Sequence, residues 1–481
     1  MKILKQYKHY LVALILVLCI RFFVPASNGL TEIGVNVLAV LVPVLYLWLT
    51  VGTDWVSLLA LAGVIISGVL SASATYAASM GSSTIIIVIT CMALNKVLSD
   101  TGVIKKIAHW FLTRNIVRNR PYVFMAMFFL AATLLGLILE CATLAIIFIT
   151  LAGEVCEEIG YKKGDPFYTS LIIGIFWISN ITNAATPICH AVPLIMIGTA
   201  AASGVTISYT QWMTLGLPFA ALTYLLLLLV ICVIWKPECS KYKNYDLDAA
   251  RAKKMPMTKQ GVIATVVFAL VVLTWIVPEV LPNLLPAAIT GSLKAWGNTV
   301  PAIIAVCLLC IIRVDNQPIG KFSELAKAAP MTLLIFIGAV VVLGSAVSSP
   351  DTGISIALSN LLAPLTATLS PAVIVGAGVL LCLIMTNFVS NVVSMLLFFG
   401  LVIPVIAGTA VSSVGVAIII CIVANFASLV PSAAVTAPLF FGPEHITVKN
   451  TLPWNLIMIV AVFLVSMLVL YPLGNAALPL I

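Results

Sequence analysis

Long apolar runs alternate with short polar connections along the whole chain. Most runs are about 20 residues long, the length at which an α-helix crosses the hydrocarbon core of a bilayer. The longest polar segment, 236–259, is a loop, because no polar stretch is long enough to fold as a soluble domain. We predict eleven spans from this pattern: 8–27, 30–50, 54–73, 81–101, 165–201, 211–236, 259–280, 296–313, 330–350, 413–441 and 452–476.

Two further apolar stretches, 121–160 and 371–410, are each about 40 residues long. Each stretch is either two closely packed spans or one re-entrant hairpin, and both alternatives leave the orientation of the later spans unchanged. We adopt the hairpin interpretation. The predicted fold class is therefore an all-α polytopic membrane protein with about eleven transmembrane helices and two re-entrant hairpins.

An amphipathic segment lies between the fourth span and the first hairpin. From Thr101 to Arg120, apolar residues recur at helical spacing against Lys105 and Lys106, which is typical of a helix lying in the membrane surface. The segment 352–366 has the corresponding place after the ninth span, and it contains no Lys or Arg.

Composition and charge agree with a membrane protein. Of the 481 residues, 62% are hydrophobic and 8% are charged, whereas soluble proteins carry about 25% charged residues. With the N-terminus in the cytoplasm, 21 of the 24 Lys and Arg fall in cytoplasmic segments, as the positive-inside rule requires. The net charge of +8 thus reflects orientation rather than nucleic-acid binding. We expect a multi-pass protein of the cell (inner) membrane, with an extracytoplasmic C-terminus and the first apolar run retained as a helix.

The second half of the chain repeats features of the first. Asp100-Thr101-Gly102 recurs as Asp351-Thr352-Gly353, and the midpoints of the two hairpins are separated by nearly the same interval. Each unit has five spans and a hairpin, so the two units have opposite orientations. Inverted repeats with interrupted helices are typical of secondary transporters. The predicted divisions are an N-terminal span (1–29), repeat 1 (30–236), a cytoplasmic loop (237–258) and repeat 2 (259–481).

Polar residues interrupt the fifth span between 179 and 190. Pro187 removes a backbone hydrogen bond there, and such backbone is tolerated at membrane depth only where it is buried in protein or lines a wet cavity. The alternative is a kinked packing helix, and for His190 a satisfied buried histidine. The candidate substrate-binding residues of this cluster are Asn180, Thr182, Asn183, Thr186 and His190.

A second set of polar residues lies in the second half. Four of them surround the midpoint of the second hairpin, where a side-chain amide and helix N-terminal amides can face an anion. The candidate substrate-binding residues here are Asn387, Ser390, Asn391 and Ser394, together with Thr436 in the tenth span.

Glu140 is the one acidic residue deep within an apolar stretch, where a carboxylate is costly unless it is paired or protonated. It is either a group that couples transport to a cation or proton, or part of a structural pair with Lys96 or His190. The candidate cation-coupling residues are Glu140, Thr143, Ser390, Asn391 and Ser428. No metal site and no cofactor beyond Na⁺ or H⁺ as coupling ion is predicted.

With these features, the chain resembles the divalent anion:sodium symporter family of the ion transporter superfamily. The resemblance includes the span count, the two hairpins, the surface helices and the segment 207–218. It implies a Ser-Asn-Thr motif at each hairpin tip, two sodium ions, a dimer and an elevator motion. Ser390-Asn391 matches the second tip with Val392 in place of Thr, whereas the first tip reads Glu140-Cys141-Ala142-Thr143.

We therefore expect a secondary transporter of small organic anions, such as di- or tricarboxylates, coupled to Na⁺ or H⁺. The alternative is an exchanger or efflux permease of the same superfamily with another substrate. The expected partners are the small anion, the bilayer and a second copy of the chain. A membrane-embedded enzyme is disfavoured, because four scattered His and no H-E-x-x-H motif offer little for catalysis.

Overall fold

The structure is a computed structural model that describes residues 2–188, 190–252, 258–281, 284–431, 434, 436–441 and 445–478. These residues are almost entirely helical, and their only sheet is a two-stranded hairpin, β1 (Arg313–Val314) paired with β2 (Gln317–Pro318). The predicted all-α fold class is confirmed.

The helices follow one another along the chain with short connections. In the first half they are α1 Lys2–Phe23, α2 Glu32–Thr50, α3 Trp55–Ser67, α4 Ala72–Ala78, α5 Ser83–Asp100, α6 Val103–Leu112, α7 Pro121–Gly136, α8 Cys141–Ile159, α9 Pro166–Ala185, α10 Ala191–Ala202, α11 Tyr209–Leu228 and α12 Leu247–Ala252. In the second half they are α13 Lys259–Val280, α14 Ala287–Trp296, α15 Thr299–Ile311, α16 Phe322–Leu325, α17 Met331–Ser348, α18 Ile354–Thr368, α19 Pro371–Thr386, α20 Asn391–Ile406, α21 Ser413–Asn425, α22 Ala437–Phe440, α23 Val448–Val465 and α24 Tyr471–Ala477.

Six helical stretches in the described part of the chain are long and apolar enough to cross a membrane: 32–50, 72–100, 209–235, 259–278, 331–348 and 448–477. The pair α14 and α15, bent by 87°, is a seventh if it is counted as one span. The remaining predicted spans correspond to α1, α3, α9 with α10, and α21 with α22, which are shorter, broken or more charged.

Each of the two 40-residue apolar stretches folds as a helix, a tight bend and a second helix. The first is α7 and α8, and the second is α19 and α20. The leading helices have 16 residues, or about 24 Å, which is less than the roughly 30 Å of hydrocarbon. These lengths favour hairpins with bends inside the membrane. We name the bends tip 1 (137–140) and tip 2 (387–390).

Both helices predicted to be interrupted are broken. The segment between α9 and α10, residues 186–190, is named break 1, and the segment between α21 and α22, residues 426–436, is named break 2. Thr186 has extended backbone angles (φ −135°, ψ 147°) because the following Pro187 disfavours a helical conformation at the residue before it.

The two helices that precede the breaks form the centre of the molecule. Every residue of α21 is buried, and in α9 all but Pro166 and Asn183 are buried. Helices that are apolar on all sides are stable only inside a protein or a membrane. Around this pair, the outer helices expose large apolar side chains such as Phe22, Ile66 and Leu270, as expected of lipid-facing surfaces.

The predicted surface helices are present as α6 and α18. In α6, Val103, Ile104 and Ala108 are buried whereas Lys105 is exposed, which matches the predicted amphipathic pattern. The β-hairpin was not predicted. Its two turn residues, Asp315 and Asn316, have φ angles of 52° and 64°, as in the two-residue turns that join antiparallel strands.

The loop between α11 and α13 folds back on the ends of α7, α8 and α9, and we name its residues 237–252 the strap. The hydroxyl of Tyr242, which is 1% exposed, donates to the Val117 carbonyl at 2.9 Å. Lys241 Nζ lies 3.3 Å from Asp165 Oδ2. Burial raises the pKa of Tyr161 to about 12, because the ionised phenolate would lose hydration beneath the strap.

Candidate functional site

Tip 1 is attached to break 1 through side chains of the break. Thr186 Oγ1 donates to the Leu137 carbonyl at 2.5 Å, and His190 Nε2 lies 2.8 Å from the Leu139 carbonyl. The acceptors are backbone carbonyls of tip 1, which the end of α7 leaves without helical partners. The polar side chains of break 1 therefore satisfy the backbone of the tip.

His190 is 1% exposed, and both of its ring nitrogens face carbonyl oxygens. Besides the Leu139 contact, Nδ1 lies 3.0 Å from the carbonyl of Thr186. A neutral imidazole has one N–H, so only the charged imidazolium donates both hydrogen bonds at once.

At tip 2 the roles are reversed, because a side chain of the hairpin binds the backbone of break 2. Asn387 Oδ1 accepts from the backbone amides of Ser428 at 2.8 Å and Leu429 at 3.0 Å. Its Nδ2 donates to the carbonyls of Leu383 and Phe426. One fully buried amide thus satisfies two N–H and two C=O groups, including three of break 2.

The start of break 2 is held by asparagines from three different elements. Besides Asn387, Asn180 on α9 donates to the Ala427 carbonyl at 3.1 Å. Asn455 on α23 donates to the Ser428 carbonyl at 2.6 Å. Because a buried carbonyl without a partner is costly, these three amides explain how unwound backbone persists within an apolar core.

The two halves meet where Asn183 Nδ2 donates to Asn425 Oδ1 at 2.7 Å. Asn183 lies near the end of α9, and Asn425 is the last residue of α21. Asn425 Nδ2 in turn donates to the Cys421 carbonyl at 2.8 Å. The breaks of both halves are therefore joined in one polar centre surrounded by apolar helices.

Glu140 is the N-cap of α8. Its Oε2 accepts from the backbone amides of Ala142 at 2.9 Å and Thr143 at 3.1 Å, and its Oε1 accepts from Cys141 Sγ at 3.1 Å. The alternative of an ion pair with Lys96 is wrong, because Lys96 Nζ binds Asp100 Oδ1 at 2.6 Å, within its own helix. A carboxylate at a helix N-terminus is stabilised by the unpaired amides and the helix dipole.

Two buried serine hydroxyls near tip 2 lack a hydrogen-bond partner within the described part of the chain. They belong to Ser394, in the first turns of α20, and Ser428, in break 2, and both residues are 0% exposed. Asn391 precedes Ser394 by less than one turn of α20. Its Oδ1 lies 3.1 Å from Thr386 Oγ1, whose hydroxyl donates to the Ala424 carbonyl. A buried hydroxyl without a partner calls for an explanation, and an absent ligand is one.

The other predicted site residues have simpler surroundings. Thr182 donates to the Ile178 carbonyl of its own helix at 2.8 Å. Ser390 precedes α20 and is half-buried. Thr436 is buried at the start of α22. Of the predicted set, then, the structure brings together Thr186 and His190 at tip 1, and Asn180, Asn183, Asn387, Asn391 and Ser428 around the start of break 2.

The sequence analysis missed several residues of this centre. Asn455 accepts from Trp177 Nε1 at 2.8 Å in addition to holding Ser428, and Trp212 Nε1 donates to the Ala184 carbonyl at 2.8 Å. The spacing of Thr451 and Asn455, four residues apart on one helix face of the last span, was an available signal.

Sequence comparison identifies the family to which the chain belongs. A family profile described as citrate transporter matches residues 37–418, which include both hairpins and break 1. The chain belongs to the citrate transporter family. This family lies within the superfamily of the divalent anion:sodium symporters, so the predicted resemblance is confirmed, and the protein is a multi-pass membrane transporter.

Two relatives are themselves uncharacterised transporters. One, from Haemophilus influenzae, is 21% identical over 331 residues, which cover 69% of this chain and 68% of the relative. The other, from Methanocaldococcus jannaschii, is 24% identical over 250 residues, which cover 52% of this chain and 51% of the relative.

Among solved structures, the chain is similar to the crystal structure of the Alcanivorax borkumensis YdaH transporter. The TM-score is 0.55 at 14% sequence identity, and the match covers 85% of this chain and 88% of that one. At this identity the similarity shows the fold alone.

Proposed function

We propose that this member of the citrate transporter family is a secondary active transporter of small organic anions, such as di- or tricarboxylates, coupled to Na⁺ or H⁺. The observation that carries the proposal is the polar centre in which two hairpin tips dock on two broken helices. Interrupted helices near the midplane are where secondary transporters bind substrate and coupling ions.

The substrate site is proposed at tip 2 and break 2. Ser394 and Ser428 offer buried hydroxyls without partners, and Asn391 lies beside them. Tips 1 and 2 and breaks 1 and 2 contain no Lys or Arg. An anion held by hydroxyls, amides and helix N-termini binds less tightly than one held by Arg, and it is therefore released more readily on either side.

Two groups of residues are candidates for ion coupling. Glu140 and Thr143 at tip 1, together with Ser390, Asn391 and Ser428 at tip 2, supply oxygen ligands of the kind that Na⁺ prefers. For proton coupling, His190 is a candidate besides Glu140, because its two hydrogen bonds to carbonyls are made together only in the charged form.

Alternating access is proposed to follow an elevator motion of the hairpins and broken helices against a scaffold that includes α2, α17 and α18. An apolar cavity of about 820 Å³ is lined by these scaffold helices on one side and by α10 and α20 on the other. Its walls include Leu41, Leu45, Val340, Leu358, Leu397 and Leu401. Ser348 Oγ donates to Ser203 Oγ at 2.7 Å across this boundary. The cavity walls are otherwise mostly apolar, which supports sliding of one body against the other. We further propose a homodimer in the cell membrane with a cytoplasmic N-terminus.

Uptake into proteoliposomes tests the transport proposal. Labelled citrate, succinate and butyrate are offered under imposed Na⁺ gradients, pH gradients, or an internal pool of unlabelled anion, with protein-free liposomes as control. Accumulation with one of the gradients is the expected result, whereas uptake that needs only the internal pool identifies an exchanger. The absence of any uptake or exchange would reject the proposal.

The role of Glu140 in coupling is tested in the same assay with Glu140→Gln. We expect the variant to lose the dependence of transport on pH or Na⁺, since an amide neither titrates nor attracts a cation as a carboxylate does. Coupling as in the unmodified protein would show that Glu140 has no part in it.

A further inference from the structure

The two second helices of the hairpins, α8 and α20, begin in chemically different ways. At tip 1 the first free amides of α8 are used internally, because Glu140 Oε2 accepts from Ala142 and Thr143. The helix N-terminus at tip 1 therefore already holds a carboxylate, which belongs to the protein itself.

At tip 2 the corresponding position carries no anion. Ser390, the residue equivalent to Glu140, makes no side-chain cap on α20. The side-chain oxygen of the next residue, Asn391, lies 3.1 Å from Thr386 Oγ1 instead. Within α20 the Ser394 amide is bonded to the Ser390 carbonyl at 3.0 Å, just as the Leu144 amide is bonded to the Glu140 carbonyl in α8. The backbones of the two helix starts thus match, and the caps do not.

A second, independent observation indicates that the helix start at tip 2 is available to a ligand. Ser428 lies against this tip, because its amide donates to Asn387, the first residue after α19. Its hydroxyl is fully buried and has no partner among the described residues, and the same holds for Ser394 on the first turns of α20. Two buried hydroxyls without partners among the described residues therefore lie at the tip that has no carboxylate.

We propose that Glu140 is a resident anion that fills tip 1, so that the transporter selects organic anions with a single charged group, which binds at tip 2. This inference rests on the proposed function: within the class of small organic anions, it replaces di- and tricarboxylates as the expected substrates by monocarboxylates and similar monoanions. A second carboxylate that reached tip 1 would find the α8 amides already used and would be repelled by Glu140.

Matched pairs of acids test the selectivity. Butyrate and succinate, and valerate and glutarate, have equal chain lengths but one or two charges at neutral pH. Their affinities are measured by thermal stabilisation of the purified protein and by competition in proteoliposome uptake. We expect the monoanion of each pair to bind about tenfold more tightly or better, since about 1.4 kcal/mol corresponds to tenfold.

The Glu140→Gln variant tests whether Glu140 sets this preference. Its amide oxygen can still cap α8, but the charge is gone, so the dicarboxylates are expected to gain about tenfold in affinity while the monocarboxylates change little. Glu140→Asp keeps the charge and is expected to keep the preference. Glu154→Gln, an exposed position on the same helix, is the matched control and leaves the preference unchanged.

The converse variant is Ser390→Glu, which supplies tip 2 with its own carboxylate. We expect it to fold, because a capping acid stabilises a helix start, and to lose monoanion binding in both assays. Monoanion binding by Ser390→Glu as tight as in the unmodified protein would overturn the inference. A ratio of monoanion affinity to dianion affinity that is the same with and without the charge at position 140 would overturn it as well. Either result leaves the transport proposal intact, whereas failure of every acid to be transported rejects both.

Discussion

At the scale of single residues, Asn387 satisfies more of the membrane-buried backbone than any other side chain described in the polar centre. Its removal leaves the Ser428 and Leu429 amides and the Phe426 carbonyl without partners in an apolar environment. Each such group costs about 1–3 kcal/mol. We therefore expect Asn387→Ala to lower the free energy of unfolding in mild detergent by about 3 kcal/mol or more.

The control for this substitution is Asn360→Ala. Asn360 makes one hydrogen bond, to the Asn28 carbonyl, at an exposed position. Its loss is expected to cost less than about 0.5 kcal/mol. Equal effects of the two substitutions would contradict the role given to Asn387.

Replacement of Ser428 is expected to weaken substrate binding while leaving stability almost unchanged. Because its hydroxyl makes no hydrogen bond within the described structure, Ser428→Ala leaves the free energy of unfolding within about 0.5 kcal/mol of its original value. Loss of a hydrogen bond to a charged substrate, worth about 1.5–3 kcal/mol, raises the KM for uptake by about tenfold or more.

Ser170 provides the comparison for Ser428. It is equally buried on α9, but its hydroxyl donates to the Phe167 carbonyl at 2.7 Å. Ser170→Ala is expected to reduce stability without changing KM. If Ser428→Ala follows the same pattern, its hydroxyl does not contact the substrate.

At the scale of elements, the close approach of tip 1 to α9 depends on Gly136. A Cβ atom built at this position would lie 2.5 Å from Thr182 Oγ1 and 2.9 Å from Leu144 Cδ2. We expect Gly136→Ala to displace the hairpin and to lower the free energy of unfolding by about 1–3 kcal/mol, with a loss of transport. Gly153→Ala, on α8 with open space around it, is expected to be neutral or stabilising by up to about 1 kcal/mol.

Asp165, which contacts the strap through Lys241, gives the protein a pH-dependent contribution to stability. The Lys162 amide, and to a lesser degree Lys241, hold the pKa of Asp165 below its ordinary value. An acid with a lowered folded-state pKa stabilises the fold above its unfolded pKa, near 3.9, and the contribution is lost as the pH falls through the folded pKa. The temperature of thermal unfolding of Asp165→Asn is therefore expected to lie below that of the unmodified protein at pH 6–7. The two temperatures are expected to converge as the pH falls through the folded-state pKa of Asp165. A difference that is constant with pH would exclude this charge effect.

At the scale of the whole molecule, orientation follows from the distribution of basic residues. We expect alkaline phosphatase fused after Ile481 to be active, because the C-terminus is proposed to lie outside the cytoplasm. The same enzyme inserted at the turn Asp315–Asn316 is expected to be inactive, since this turn is proposed to lie in the cytoplasm. Reversed activities would show that the orientation in the membrane is the opposite one, with the strap outside the cytoplasm.

Local patterns determined much of this protein before any contact was known. The length of the apolar runs predicted the helical membrane fold, because a lipid environment leaves the backbone few alternatives to helix. Pro187 predicted the first break, and the amphipathic pattern at 103–112 predicted α6, because both depend on residues adjacent along one helix.

Tertiary structure alone decided which groups these features bring together. The sequence placed Glu140 within an apolar stretch but did not distinguish an ion pair from a helix cap, because the distinction depends on where tip 1 bends. It also gave no indication that Asn180, Asn387 and Asn455, which are far apart in the chain, converge on four residues of break 2. Composition and periodicity act along the chain and specify the helices, whereas the partner of a buried polar group depends on how those helices pack.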